Sequence, residues 1–297
     1  MTSVTNKGML YLCATPIGNL EDITYRAIRL LSEADIIAAE DTRHTRQLLS
    51  HYDIHTRLVS YHEHNKASAG AKLILAMLSG QTVVCVSDAG LPGIADPGTH
   101  LARLAIENGI KISPLPGANA ALSALICSGL STERFTFIGF LPKTHSKRTE
   151  LLNEIKYHRE TLIFYEAPHH LPKTLTEIAA ILGNERCAVL SRELTKKFEE
   201  FRHGTLLTLK EHVTSSTPRG EYVLLVAGFS GITAKAADTE PTPGPAEMVR
   251  LLIEQGLPKK EALREVAKKL HISRRDVYQD VLKSTSLEAL SHKNTLK

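Results

Sequence analysis

The chain has 297 residues, of which 42% are apolar and 23% charged, a balance that excludes a disordered or fibrous protein. No apolar run approaches the ~18–20 residues of a transmembrane helix, and the first ten residues carry no apolar signal core. The net charge of +4 is unevenly placed: residues 246–297 hold 11 Lys+Arg against 7 Asp+Glu, and the rest of the chain holds 25 of each.

Length predicts about two domains, at ~100–200 residues each. Strand-like runs are expected at Met9–Ala14, Asp35–Ala39, Leu58–Tyr61, Thr82–Ser87 and Lys111–Leu115. They continue at Phe135–Gly139, Thr161–Tyr165, Cys187–Ser191 and Tyr222–Ala227. Several are continuous apolar runs, as in strands covered on both faces. Helical patterns lie between them, for example Tyr25–Ala34 and Ala67–Leu78. The alternation predicts an α/β fold with mostly parallel sheets, and nine strands predict two sheets rather than one. The expected division is 1–118 and 119–230 for two α/β domains, 231–245 for a Pro/Gly/Thr-rich linker and 246–297 for a basic all-α module. That module is expected as three helices, Ala246–Gln255, Lys259–Leu270 and Arg274–Leu282, the last capped by Ser273. The short turn before it resembles a helix-turn-helix, and a plain three-helix bundle fits the pattern equally.

Several chemistries lack their motifs. There is no GxxxxGK[ST], no GxGxxG, no HExxH and no GxSxG. The four cysteines are far apart without a CxxC, so neither zinc nor a disulfide framework is expected, and a reducing cytoplasm is the expected location. Five histidines bunch between His44 and His64, without a third ligand at metal-binding spacing, and no metal is expected.

Rigid loops follow the strands. The longest, Asp88–Gly98, holds three Gly, two Pro and two Asp in eleven residues. Glycine allows close backbone approach and proline stiffens the path. Thr15–Leu20 and Pro116–Ala121 are similar, so three loops at one sheet edge predict a small-molecule pocket. Charged clusters leave other strands at Glu40–Arg43, Tyr165–His170 and Arg192–Lys197, as expected around an active site.

Together the stretches ATPIGNLEDIT (Ala14–Thr24), AEDTRHT (Ala39–Thr45), SDAGLPGIADPG (Ser87–Gly98), GFLPK (Gly139–Lys143), YEAPHH (Tyr165–His170), RELTKKFEE (Arg192–Glu200) and GEYVLLVAG (Gly220–Gly228) carry a resemblance. The chain resembles the tetrapyrrole-methylase superfamily of S-adenosylmethionine-dependent enzymes and, within it, the branch acting on small-subunit ribosomal RNA. Leu91 and His170 stand where that branch leads one to expect Thr and Arg.

The resemblance implies two consecutive α/β domains of the tetrapyrrole-methylase type, with S-adenosylmethionine in the cleft between them, and a homodimer. It implies methylation of a cytidine ribose 2′-hydroxyl in the decoding region of 16S rRNA in the small ribosomal subunit. By motif position, the cofactor contacts it implies are Pro16, Asp88, Leu91, Asn119, Ala120, Ala167, Arg192 and Gly220. A ribose hydroxyl needs a proton acceptor. Glu40, Asp41 and Glu193 are the candidate acids for that role, and Arg43, Arg192 and Lys196 are candidates to hold flanking phosphates. A tetrapyrrole acceptor is the first alternative, which a basic tail and the basic stretch Lys143, Lys147, Arg148, Lys156 and Arg159 argue against. A ligand-sensing nucleic-acid-binding regulator is the second.

Overall fold

The computed structural model describes residues 8–94, 98–231, 245–270 and 273–281. Residues 95–97 of the long loop, most of the expected linker, the 271–272 turn and the end of the third expected helix lie outside the described residues. The chain divides into a body, Met1–Ile232, and a C-terminal unit, Thr233–Lys297.

The body holds two five-stranded sheets. The first contains β1 (Met9–Cys13), β2 (Ile36–Ala39), β3 (Leu58–Ser60), β4 (Val83–Val86) and β5 (Lys111–Leu115), in the order β3-β2-β4-β1-β5. Every pairing in it is parallel. β2 and β4 read IIAA and VVCV and are buried at every position, because helices cover both faces. On one face α3 (Lys66–Leu78) and α4 (Gly98–Glu107) pack through Leu73, Met77, Leu101 and Ala105. On the other, α1 (Tyr25–Glu33) and α2 (Thr42–His51) pack through Ala27, Leu31 and Leu49.

α5 (Ala120–Cys127) leads to the second sheet, whose order is β6 (Phe135–Phe140), β7 (Thr161–Glu166), β10 (Tyr222–Val226), β8 (Cys187–Arg192), β9 (Glu200–Thr205). Only β6 and β7 are parallel here; β10 and β9 run against their neighbours, contrary to the expectation of mostly parallel sheets. The cause is β9, a strand that the sequence pattern hides. Its residues, EFRHGT, show no apolar alternation because it is an edge strand with charged side chains toward water. The RELTKK segment is therefore a hairpin turn and not a strand-to-helix loop. One face of this sheet packs on α6 (His145–Glu154), α7 (Leu171–Leu182) and α8 (Leu206–Thr214). The other packs on α5 and receives Ile17 from the first subdomain, so the two halves share a core.

The C-terminal unit contains α9 (Pro245–Glu254), α10 (Lys259–Leu270) and α11 (residues 274–281). Val249, Ala262, Leu263, Val266 and Val277 form its core. Ser273 caps α11 as expected, its Oγ accepting from the Asp276 N–H at 3.2 Å and donating to Asp276 Oδ2 at 2.6 Å.

Candidate active site

All strands of the first sheet are parallel, so the loops leaving β2, β4, β1 and β5 line up along one edge in that order. The β1 and β4 loops are fastened together. The Thr15 N–H donates to the Gly90 carbonyl at 2.9 Å, and the Gly90 N–H returns to the Thr15 carbonyl at 3.0 Å. The hydroxyls of Thr15 and Ser87 reinforce the turn, donating to the carbonyls of Ser87 and Gly90 at 3.1 and 3.0 Å. Gly90 has φ +80°, a left-handed conformation that favours glycine. The β2 loop joins the set through the Asp41 N–H, which donates to Asp88 Oδ1 at 2.9 Å. In the β5 loop, Asn119 caps α5 by accepting from the Leu122 N–H at 2.8 Å.

The second sheet faces these loops with the ends of β7 and β8 and the start of β10. The Tyr165 phenol accepts from the Ala121 N–H at 3.2 Å and is gripped edge-on by Phe137 and Phe140. Burial pushes its pKa up, so it stays a phenol at neutral pH. Glu166 is buried and accepts from the Ala167 N–H at 2.8 Å and the Thr174 hydroxyl at 2.6 Å. The turn after β8 contains two left-handed non-glycine residues, Glu193 (φ +51°) and Thr195 (φ +63°). Such strain persists only where the surroundings hold it. Here Glu193 Oε1 accepts from the Glu221 N–H at 2.9 Å and from Lys196 Nζ at 3.0 Å. Lys196 also reaches Glu221 Oε2 at 2.9 Å. Gly220 lies against this group with φ +86°, and a Cβ there would stand 2.5 Å from the Glu193 carboxyl carbon.

Ion pairing decides the charges in this turn. Burial works to raise the Glu193 pKa, but the Glu221 N–H and the Lys196 ammonium outweigh it and leave the carboxyl below its ordinary range. Burial likewise works to lower Lys196, and the carboxylates of Glu221 and Glu193 outweigh it, so the ammonium is held above its ordinary range.

Two adjoining cavities result. The first, about 580 Å³, is lined by Glu40, Asp88, Leu91, Asn119, Ala120 and Ala167, with Tyr165 and Glu166 beside them. The second, about 530 Å³, is lined by Pro16, Asp41, His44, Gln47 and Lys196. Ile17, Ser87, Asp88, Ala89 and Glu221 form a wall common to both.

Four residues expected at the site line neither cavity. Arg192 donates from Nε to the Arg219 carbonyl at 2.8 Å and faces Glu200 across the hairpin at 4.0 Å, so it holds the turn. Glu193 and Gly220 stand behind Lys196 and Glu221 and shape the site through them. Arg43 is exposed and folds back on Asp41, with Nε 3.2 Å from Oδ1 and Nη2 2.8 Å from Oδ2. Through its hydrogen bonds it holds the Asp41 carboxyl well below the usual carboxylate range, which makes Asp41 a helix cap and a poor base. Arg148, expected in a basic surface stretch, is buried and paired with both carboxylate oxygens of Glu177. Tyr165, from the expected Tyr165–His170 cluster, lines the first cavity, and Glu221, next to the expected Gly220, was missed although it lines both. Among the described residues no group of three or more His, Cys, Asp or Glu is placed to hold a metal ion.

The family of tetrapyrrole (corrin/porphyrin) methylases matches residues 9–210. The ribosomal RNA small subunit methyltransferase I of Halalkalibacterium halodurans is 50% identical over 273 residues, covering 92% of this chain and 94% of that protein. The protein of the same name from Bacillus subtilis is 46% identical over 278 residues, with coverage of 92% and 94%. Among solved structures, uroporphyrin-III C-methyltransferase of Thermus thermophilus complexed with S-adenosylhomocysteine shares the fold at a TM-score of 0.54 and 18% identity. That likeness covers 74% of this chain and 97% of that one. The first cavity has the make-up of a small-molecule site: Asp88 and Asn119 bring oxygens for polar groups, Gly90 lets the backbone come close, and Ile17, Leu91 and Leu194 give an apolar wall. The chain belongs to the tetrapyrrole methylase family, in the branch formed by the ribosomal RNA small subunit methyltransferase I proteins.

Proposed function

We propose that the chain methylates the ribose 2′-hydroxyl of a cytidine in 16S ribosomal RNA of the small ribosomal subunit. The observation that carries this reading is the nearly end-to-end likeness to relatives named for small-subunit ribosomal RNA methylation. In this reading the first cavity takes the cofactor and the second takes the acceptor nucleotide. When bound, S-adenosylmethionine supplies a methyl group activated by a sulfonium. Residues 89–91, Asn119–Ala120 and Ala167 hold the cofactor, with Asp88 accepting from ribose hydroxyls. Pro16 stiffens the loop between the two cavities. Gly220 and Arg192 support the site by fixing the turn that carries Glu221. Lys196 presents its ammonium to the backbone phosphates of the acceptor strand. In-line methyl transfer asks the protein mainly to fix donor and acceptor against each other, and rigid loops fastened by hydrogen bonds suit that task. The reading also takes the chain as a homodimer working in the cytoplasm, with the basic C-terminal unit docking on RNA.

The test is incubation with methyl-labelled cofactor and, separately, small subunits, naked 16S rRNA and a tetrapyrrole. Nuclease digestion of labelled RNA then locates the methyl. Label on a cytidine ribose is expected. Label on a base, or only on the tetrapyrrole, would overturn the reading. Light scattering with size exclusion tests the homodimer.

A further inference from the structure

We propose that His44 is the catalytic base, taking the proton of the acceptor hydroxyl as the methyl is transferred; this rests on the ribose-methylation reading above. His44 stands in the first turn of α2 and lines the second cavity, whose wall at Asp88 and Ala89 is also a wall of the first. A group in that position faces an acceptor held against the cofactor.

The other titratable groups of this cavity are already engaged. Both Asp41 oxygens accept from Arg43, the next residue but one. Lys196 is an ammonium shared between Glu193 and Glu221, and Glu221 gives it one carboxylate oxygen. Glu193, behind the wall, is occupied by the Glu221 N–H and by that ammonium. Asp88, from the β4 loop, accepts from the Asp41 N–H and faces the cofactor cavity. The His44 ring, by contrast, makes no hydrogen bond or ion pair among the described residues. An imidazole is also the one side chain whose ordinary titration lies next to neutral pH, which suits a base acting there.

The step balances. The hydroxyl oxygen forms a bond to the methyl carbon while its proton passes to the unprotonated ring nitrogen of His44. The carbon–sulfur bond breaks with its electron pair left on sulfur, so the sulfonium becomes a neutral thioether and the positive charge resides on the imidazolium. The imidazolium then returns its proton to water.

The experiment is single-turnover transfer from methyl-labelled S-adenosylmethionine to small subunits by the full chain, across about pH 5 to 9. The parent is expected to gain rate with pH along a limb in the imidazole range. His44→Gln is expected to lose ~10²–10⁴-fold in rate, the usual share of general base catalysis, and to lose that limb. Its cofactor affinity by calorimetry is expected to stay within about twofold, since His44 does not line the cofactor cavity. Added imidazole is expected to restore part of the rate of His44→Ala. The proposal is overturned if the parent shows no limb in that range, a result independent of how any variant folds. It is also overturned if His44→Gln keeps both rate and limb. Label found on a base rather than a ribose would instead refute the reading of the acceptor, whatever His44 does.

Discussion

Replacing Lys196 with Met removes an ammonium and keeps the aliphatic stem that lies over Gly18. The Lys196 side chain is 27% exposed, with Glu193 at 18% and Glu221 at 76%. The Glu221 contact is largely solvated and contributes about 0.5 kcal/mol. The Glu193 contact is a charged hydrogen bond in a shielded place, worth about 1.5 kcal/mol. Lys196→Met should therefore destabilise the body by about 2 kcal/mol at pH 7, ~30-fold in its folded-to-unfolded ratio. The pH window follows from the direction of each shift. Glu193 is held below its ordinary 4.5, so its share is present above 4.5 and is lost as pH falls through the lowered folded value. Lys196 is held above its ordinary 10.5, so its share is present below 10.5 and is lost as pH rises through the raised folded value. Urea unfolding of parent and variant should differ most between those two values and converge in acid once Glu193 is protonated. An equal midpoint at pH 7, or a difference that survives below the folded titration of Glu193, would refute the reasoning.

Gly220→Ala puts a methyl against the Glu193 carboxylate and asks a non-glycine residue to keep φ +86°. A loss of about 1–2 kcal/mol from the backbone alone is expected in urea unfolding, with weaker cofactor binding by calorimetry. Asn119→Ala removes the cap of α5 and should cost about 1 kcal/mol, together with a drop in cofactor affinity. Arg192→Gln should lower stability while leaving the single-turnover methyl-transfer rate within a few-fold of the parent, because Arg192 lines neither cavity. Deletion of 246–297 should weaken binding to small subunits and flatten its salt dependence, with cofactor affinity unchanged; equal loss of both would return the unit to a structural role.

The first sheet was legible because both its faces are covered. IIAA and VVCV are apolar at every position; Gly and Pro mark the loop after VVCV, and the helix cap Asp41 marks the end of IIAA. The second sheet was legible but for one strand. β6, β7, β8 and β10 read clearly, but β9 did not, since edge position replaces apolar alternation with Glu200, Arg202 and His203. Missing that one strand turned a hairpin into a presumed crossover and the strand directions with it. At the site, the family resemblance pointed to Asp88, Leu91, Asn119, Ala120 and Ala167, which line the first cavity. Partnership could not be read. Whether Asp41 is a base or a cap depends on Arg43 folding back on it, and whether Arg192 reaches a ligand depends on Glu200 in the hidden strand.

The hairpin between β8 and β9 has a consequence for how acceptor choice can change. Most loops of the cofactor cavity belong to the first sheet and are fastened to one another, with Tyr165, Ala167 and Leu194 closing it from the second, while Lys196 enters from the turn between β8 and the edge strand β9. A hairpin with one free edge can be lengthened, shortened or exchanged without disturbing a parallel crossover. In the proposed reading, acceptor preference is thus a separable part, open to remodelling by grafting residues 195–199, past Leu194 of the cofactor wall, while the methyl-donor half is left as it stands.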